Sequence, residues 1–195
     1  MKKFGCLGIV LIAVIIAALW GWSKYNGLVT EDEKVNNAWA DVQTQYQRRA
    51  DLIPNLVETV KGYAEHESET LQKVIEARAK ATSINVDPNN LTEEALQQYQ
   101  QAQGELGNAL GRLLVSIERY PDLKANQNFL ELQSQLEGTE NRIINARDKF
   151  NTAAKEFNTM VRKFPANIVA SLFGFKNKTY FAASETAQEA PKVQF

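Results

Sequence analysis

His66 is the only histidine in the chain, and it stands between two carboxylates in Glu65-His66-Glu67, with Glu69 close behind. Imidazole beside carboxylate is the raw material of metal ligation and proton transfer, so spacing decides whether that chemistry is available. A zinc-peptidase helix needs His-Glu-x-x-His, which puts two imidazoles on one face. Position 70 is Thr70, so the second ligand is missing. A di-iron bundle needs Glu-x-x-His from each of two helices; position 63 is Tyr63, and there is no second histidine. On a helix, Glu65, His66 and Glu67 also point in different directions. His66 therefore reads as a residue of a helix surface or edge, and no metal or other cofactor is expected. The single cysteine, Cys6, lies in an apolar stretch and leaves no intramolecular disulfide or cysteine-based zinc site. No serine stands in a nucleophile elbow, and no pair of acids stands out from what a solvated helix face carries. The residues argue against an enzyme.

A second constellation is more informative. In Arg48-Arg49-Ala50-Asp51 the heptad frame puts Arg49 at a core-like position, and Glu67 falls on the same face further along. Glu140, Arg142 and Arg147 lie beside the apolar seam of the last long helix. A charge buried alone is very costly, so these groups must pair or line a wet cleft. Two readings stay open: an interhelical ion-pair layer that fixes register, or a polar pocket for a ligand or a partner segment. Both weaken if the helix breaks at Asp51 and leaves Arg49 in solvent. The candidate interaction or polar-core residues are Arg48, Arg49, Asp51, Asn55, His66, Glu67, Glu140, Asn141 and Arg142. Asn141, Asn151 and Asn158 lie beside apolar positions of the last helix, where interhelical amide hydrogen bonds are expected.

The elements that position these residues are helical. Gly and Pro are sparse in the 195 residues, while Gln, Glu, Ala, Leu and Asn abound. Lys and Arg total 22 against 23 Asp and Glu, a net charge of −1 that offers no basic face for nucleic acid. Residues 4–19 carry no charge, and ten of them are Phe, Leu, Ile or Val. Extended to Trp22, the run makes a helix of roughly 28 Å, close to the thickness of bilayer hydrocarbon. Trp20, Trp22 and Tyr25 follow at the edge, where amphipathic rings settle among headgroups. The run is long for a cleaved signal, and the nearest small-x-small sequence, Gly21-Trp22-Ser23, follows bulky Trp20. The expected organisation is a single-pass anchor over residues 1–24, a helical body over 25–181 and a disordered tail over 182–195. A slight excess of flanking positive charge, Lys2 and Lys3 with the terminal amine, favours a cytoplasmic N-terminus with the body outside.

Phe129, Leu136, Ile143, Phe150, Phe157 and Phe164 recur every seven residues, paired with Leu132, Thr139, Ala146, Ala153 and Met160. This is a sustained a/d pattern of coiled-coil type, with Asp122 as expected N-cap and Pro165 as its stop. Leu96, Tyr99, Gln103, Leu106, Leu110, Leu113 and Ile117 mark an earlier helix opened by Thr92. Gly104, Gly107 and Gly111 within it predict close helix packing, since each costs about 1 kcal/mol against Ala. The stretch 31–83 keeps heptad spacing through Val35, Trp39, Val42, Tyr46, Ile53, Leu56, Val60, Tyr63 and Val74. Pro54 makes it either one kinked helix or two helices meeting near Ala50, the second capped by Asp51. A short apolar helix is expected over 167–173, stopped by Gly174, with Phe175, Tyr180 and Phe181 docked on the body.

Several stretches together resemble a known family. They are Tyr25-Asn26-Gly27-Leu28-Val29, Arg48-Arg49-Ala50-Asp51-Leu52-Ile53-Pro54-Asn55-Leu56-Val57 and Tyr63-Ala64-Glu65-His66-Glu67. Tyr120-Pro121-Asp122-Leu123-Lys124-Ala125-Asn126, Leu136-Glu137-Gly138-Thr139-Glu140-Asn141-Arg142-Ile143 and Phe164-Pro165 with Phe173-Gly174-Phe175 follow. Their order and spacing resemble the bacterial LemA family from Tyr25 to Phe181, with Phe150-Asn151 and Phe157-Asn158 where the family often has Tyr-Asn. The resemblance implies an all-α protein: an antiparallel, up-and-down four-helix bundle with an N-terminal transmembrane helix, tethered to the bacterial inner membrane. It implies no established biochemical activity.

Three functions follow as expectations. The first is a membrane-anchored adaptor or scaffold that presents a helix face, or the segment after Pro165, to other envelope proteins. The second is a ligand-binding module with a polar cleft lined by Arg48, Arg49, Asp51 and Glu140. The third is a homo-oligomer that organises the membrane through its heptad faces.

Overall fold

The computed structural model describes residues 2–88 and 91–182, with the side chains of 2–7 and of residue 65 left out. It is all-helical among the described residues. The order is α1 (Lys2–Lys61), a single 3-10 turn (Glu65–Glu67), α2 (Ser68–Ser83), α3 (Glu93–Ile117), α4 (Pro121–Lys124), α5 (Gln127–Arg162) and α6 (Ala166–Phe173). The proposed tail, apart from Ala182, lies outside the described residues.

The 60 residues of α1 run without interruption from the apolar N-terminal stretch into the body, a rod of about 90 Å. Among the described residues one helix is long and apolar enough to cross a membrane, and it is this one. Its residues from Gly8 to Trp20 are all exposed.

Pro54 sits inside α1 and does not break it. Proline lacks the N–H that would bond the carbonyl four residues back, which strands the Ala50 oxygen. The structure supplies a substitute: Arg78 of α2 donates Nε–H to that oxygen at 2.7 Å. The stretch 31–83 is thus two helices, but they part after Lys61 and not near Ala50. Asp51 caps nothing; it lies exposed in mid-helix and accepts from Gln47 Nε2 at 2.7 Å.

Two further caps and spacings come out differently. Thr92 caps α3 as expected, its hydroxyl accepting from Ala95 N at 3.2 Å. The cap of α5 is Asn126, not Asp122, because Pro121 starts the separate short turn α4 and Asp122 belongs to it. Phe164, the last residue of the seven-residue series, lies beyond the end of α5 and is exposed. Tyr63, the same kind of exception on the first stretch, lies past the end of α1, where its hydroxyl accepts from Asn126 Nδ2. Gly104 and Gly111 face open space, and a Cβ on Gly107 would meet only Arg49 Nη1 at 3.9 Å. Close helix approach is not what these glycines serve.

The core falls into three clusters along α1. The first joins Ile53, Leu56 and Val60 to Leu71 and Val74 of α2, Leu106 and Leu113 of α3 and Phe129 of α5. The second joins Val35, Trp39, Val42 and Tyr46 to Leu96 and Tyr99 of α3 and Phe150 and Phe157 of α5, with Phe181 from the C-terminal segment. The third joins Leu28 to Val169 and Ala170 of α6. Along α1 and α5 the contacts pair Gly27 with Met160, Trp39 with Phe150 and Arg49 with Glu140.

Candidate functional site

Between the first two apolar clusters lies one polar layer, and Arg49 is its centre. On α1 Arg49 falls between Tyr46 of one cluster and Ile53 of the other; on α3 Gln103 falls between Tyr99 and Leu106. On α5 Thr139 falls between Leu136 and Ile143. Arg49, Gln103 and Thr139 are all buried.

The Arg49 guanidinium is held by several partners at once. Nη1 donates to Glu140 Oε2 at 2.9 Å. Nη2 donates to the Gln103 carbonyl at 2.9 Å and to its side-chain Oε1 at 2.8 Å. The Gln103 amide in turn donates Nε2–H to the Ala81 carbonyl of α2 at 3.2 Å. The layer therefore takes one group from each of α1, α2, α3 and α5. The guanidinium carbon lies 5.1 Å from the Tyr46 ring centroid, within reach of a cation–π attraction. Glu140 keeps half its side chain in solvent, while Arg49 has 5% exposed. The pair is asymmetric: the cation is desolvated and the anion is not, and the Gln103 oxygens solvate the guanidinium while Glu140 supplies its counter-charge.

Burial raises the pKa of Tyr46, with the nearby Arg147 and Arg49 charges opposing. Burial also pushes the Tyr99 hydroxyl up, far above the ordinary phenol range, with the neighbouring Tyr46 adding to it. These rings stay neutral through the physiological range and brace the cation in an apolar wall. The cavity beside them, lined by Tyr46, Tyr99, Gln103 and Ala81 among others, holds about 250 Å³. That is below the 300–1,000 Å³ of ordinary small-molecule sites.

The other candidates are scattered. Arg48 and Asp51 are exposed and line an open surface groove with Gln43, Gln47 and Gln135, which neither Arg49 nor Glu140 reaches. Asn55 and Asn141 are exposed. Arg142 is exposed and leans on its own helix, donating to the Thr139 hydroxyl at 3.3 Å. His66 is exposed on the 3-10 turn. Among the described residues no three His, Cys, Asp or Glu side chains converge on a possible metal position.

Glu67 is buried, but not with Arg49. The heptad frame that placed them on one face ends with α1 at Lys61, and Glu67 lies beyond it in the 3-10 turn. Its Oε1 accepts from Arg119 Nη2 at 2.7 Å and from the Tyr120 hydroxyl at 3.1 Å. Glu67 thus ties the α1–α2 corner to the end of α3.

The asparagines also bond differently from expectation. Asn151 exchanges both amide groups with the backbone of Phe181, accepting from N at 2.9 Å and donating to O at 3.2 Å. Asn158 does the same with Lys178, at 2.7 and 2.8 Å, and also donates to the Tyr180 hydroxyl. Both serve the C-terminal segment, not another helix. That segment places Phe181 against Trp39, ring centroids 5.8 Å apart, and Phe150, 5.4 Å apart. Gln103 and Arg78 are the participants that sequence reading missed. Gln103 stands at a core position of α3 in the sequence, but a neutral amide carries no charge signal that would pair it with Arg49.

A family model described as the LemA family matches residues 38–195. The chain is 28% identical to protein LemA of Metamycoplasma hominis, over 83% of this chain and 70% of the relative. It is 27% identical to magnetosome protein MamQ of Magnetospirillum gryphiswaldense, over 94% of this chain and 74% of the relative. Magnetosome protein MamQ 2 of Paramagnetospirillum magneticum is 26% identical, over 90% of this chain and 70% of the relative. None of these names denotes a reaction. The match spans α3, α5 and most of the polar layer's partners, including Arg49, Gln103 and Glu140, and on that match the chain belongs to the LemA family.

Proposed function

We propose that this protein is a non-catalytic, single-pass adaptor of the bacterial inner membrane, held by residues 1–24 and acting through protein–protein contact. The observation that carries this reading is the unbroken α1: one rod is both the apolar stretch and the spine of the body. Such a spine gives the body a fixed stance on the bilayer, suited to presenting helix faces to other envelope proteins. The body is an antiparallel up-and-down four-helix bundle of α1, α2, α3 and α5. In support, residue numbers rise along α1 as their partners fall along α5, from Gly27 with Met160 to Arg49 with Glu140. The N-terminus lies in the cytoplasm and the body outside.

The Arg49 layer acts in register, not in binding. An Arg in mid-core that finds its partners only in one alignment of the helices selects that alignment. The full-length protein, crosslinked in living cells with its anchor intact, is expected to migrate in complexes larger than itself. Migration as an isolated chain after such crosslinking contradicts the adaptor reading. Protease added to intact spheroplasts should degrade the body if it faces outward and spare it if it faces the cytoplasm.

A further inference from the structure

The segment between Arg162 and Lys176 has a composition the body does not explain. Residues 164–175, Phe-Pro-Ala-Asn-Ile-Val-Ala-Ser-Leu-Phe-Gly-Phe, carry no charge. One side of α6 is used inside the protein: Ala166, Val169 and Ala170 are buried, the last two against Leu28. The other side faces outward and, apart from Asn167 and Ser171, is also apolar. Phe164 is 80% exposed, Ile168 57%, Leu172 78% and Phe173 58%. The protein covers one side of this uncharged helix and leaves its larger apolar side chains bare on the other. Four large apolar side chains gathered on one corner make a patch, unlike the single exposed apolar residues of an ordinary surface.

The position of the patch names its cover. Phe173 packs on Tyr25, ring centroids 4.7 Å apart, and Phe175 on the same ring at 5.9 Å. Tyr25 stands directly after Trp20 and Trp22, where the apolar run of α1 ends. Leu28, the residue under α6, is only six positions beyond Trp22, about 9 Å along the axis. Basic residues surround the patch: Arg162 and Lys163 before it, Lys176 after it. A groove of about 540 Å³ is lined by Lys24, Lys155 and Lys163 together with Phe164 and Pro165, its three lysines outnumbering its two acids, Glu31 and Glu156. Apolar side chains ringed by lysine and arginine, at the depth where a span leaves hydrocarbon, are the features of a segment lying in the headgroup boundary of an anionic leaflet.

We infer that α6 and the Phe164–Pro165 corner are a second membrane contact, inserted into the interface of the leaflet from which α1 emerges, with Lys24 and Lys163 on lipid phosphates. This rests on the anchor reading of α1 and adds to it: the body is fastened to the bilayer at two points, so it cannot swivel about the span. Two contacts on one rigid body also fix which face of the body looks along the membrane and which looks away.

The test uses the full chain with Cys6→Ser, reconstituted in phosphatidylglycerol–phosphatidylethanolamine vesicles. Nitroxides are placed singly by Val14→Cys, Phe164→Cys, Leu172→Cys and Val115→Cys, all at exposed positions that tolerate a label. Collision with oxygen, which partitions into lipid, is compared with collision with a water-soluble nickel chelate. The Leu172 and Phe164 labels are expected to favour oxygen several-fold over the Val115 label, though less than Val14. If Val14 reads as lipid while Leu172 and Phe164 match Val115, the interfacial contact is overturned and the anchor stands. If Val14 itself reads as water, the anchor reading fails and this inference with it. Labels at Leu172 and Phe164 shielded from both reagents mean protein covers the patch, which also overturns it.

Discussion

Arg49 makes three side-chain hydrogen bonds and a cation–π contact, and its removal has a defined cost. Arg49→Ala strands the Gln103 side chain and leaves Glu140 without its cation. Breaking a buried charge pair costs about 3–5 kcal/mol. The half-exposed Glu140 places this case at the lower end, near ~3 kcal/mol. Glu140→Ala removes the carboxylate that pairs with the buried guanidinium, so it too should cost about 3 kcal/mol. Thermal melts of the full chain in detergent, followed by circular dichroism, would measure both. A loss under about 1 kcal/mol for Glu140→Ala would mean that the Gln103 oxygens alone suffice to hold the cation. The tyrosines set a pH dependence. Burial raises the pKa of Tyr46 and Tyr99 in the folded state, so folding favours their protonated forms. Their contribution is complete below the unfolded value of about 10 and is lost as pH climbs past it. Stability should therefore fall steeply above about pH 10, and Tyr99→Phe should flatten that fall. At this scale the sequence was only half legible. Heptad phase exposed Arg49 as a charge in a core position, and charge rules required a partner. It could not choose Gln103, because a neutral amide gives no charge signal and its burial depends on how α3 is rotated against α1.

Pro54 is the most instructive element-level feature. Helical periodicity continued through it, while its chemistry argued for a break, and local rules alone could not decide. The deciding group is Arg78, 28 residues beyond Ala50, which bonds the Ala50 carbonyl that Pro54 leaves free. Arg78→Ala should thus destabilise the chain by about 1 kcal/mol when Pro54 is present and much less after Pro54→Ala, where residue 54 regains its N–H. A double-mutant cycle by urea unfolding measures the coupling; additivity would show that Arg78 acts elsewhere. The C-terminal segment offers a parallel case. Asn151→Leu removes both bonds to Phe181, and in a Trp20→Phe, Trp22→Phe background the emission of Trp39 should shift to the red and become open to acrylamide. An unchanged spectrum would mean that Phe181 stays in place through its ring contacts alone. Helix ends were legible where the cap was local, as at Thr92. They were not where a proline began a separate turn, as at Pro121, since Asp122 and Asn126 are equally good caps by residue type.

Across the whole molecule α1 is one structural continuum from the apolar run to the core. The apolar run was plain in the sequence, because a bilayer acts on composition and length and needs no tertiary information. The continuity was not, because nothing in residues 20–34 declares whether a linker separates span from body. The structure answers with Leu28 already buried in the protein and Trp22 still fully outside it. Carbonate washing of membranes should leave the full chain in the pellet. A chain released by that wash would be peripheral. The most direct measurement is a dipolar electron–electron distance in lipid nanodiscs between nitroxides at Ile12→Cys and Arg48→Cys, with Cys6→Ser. These exposed positions lie 36 residues apart on one face of α1. One rigid helix predicts a single narrow distribution at about 54 Å. A broad distribution, or one centred well short of that length, would contradict the account.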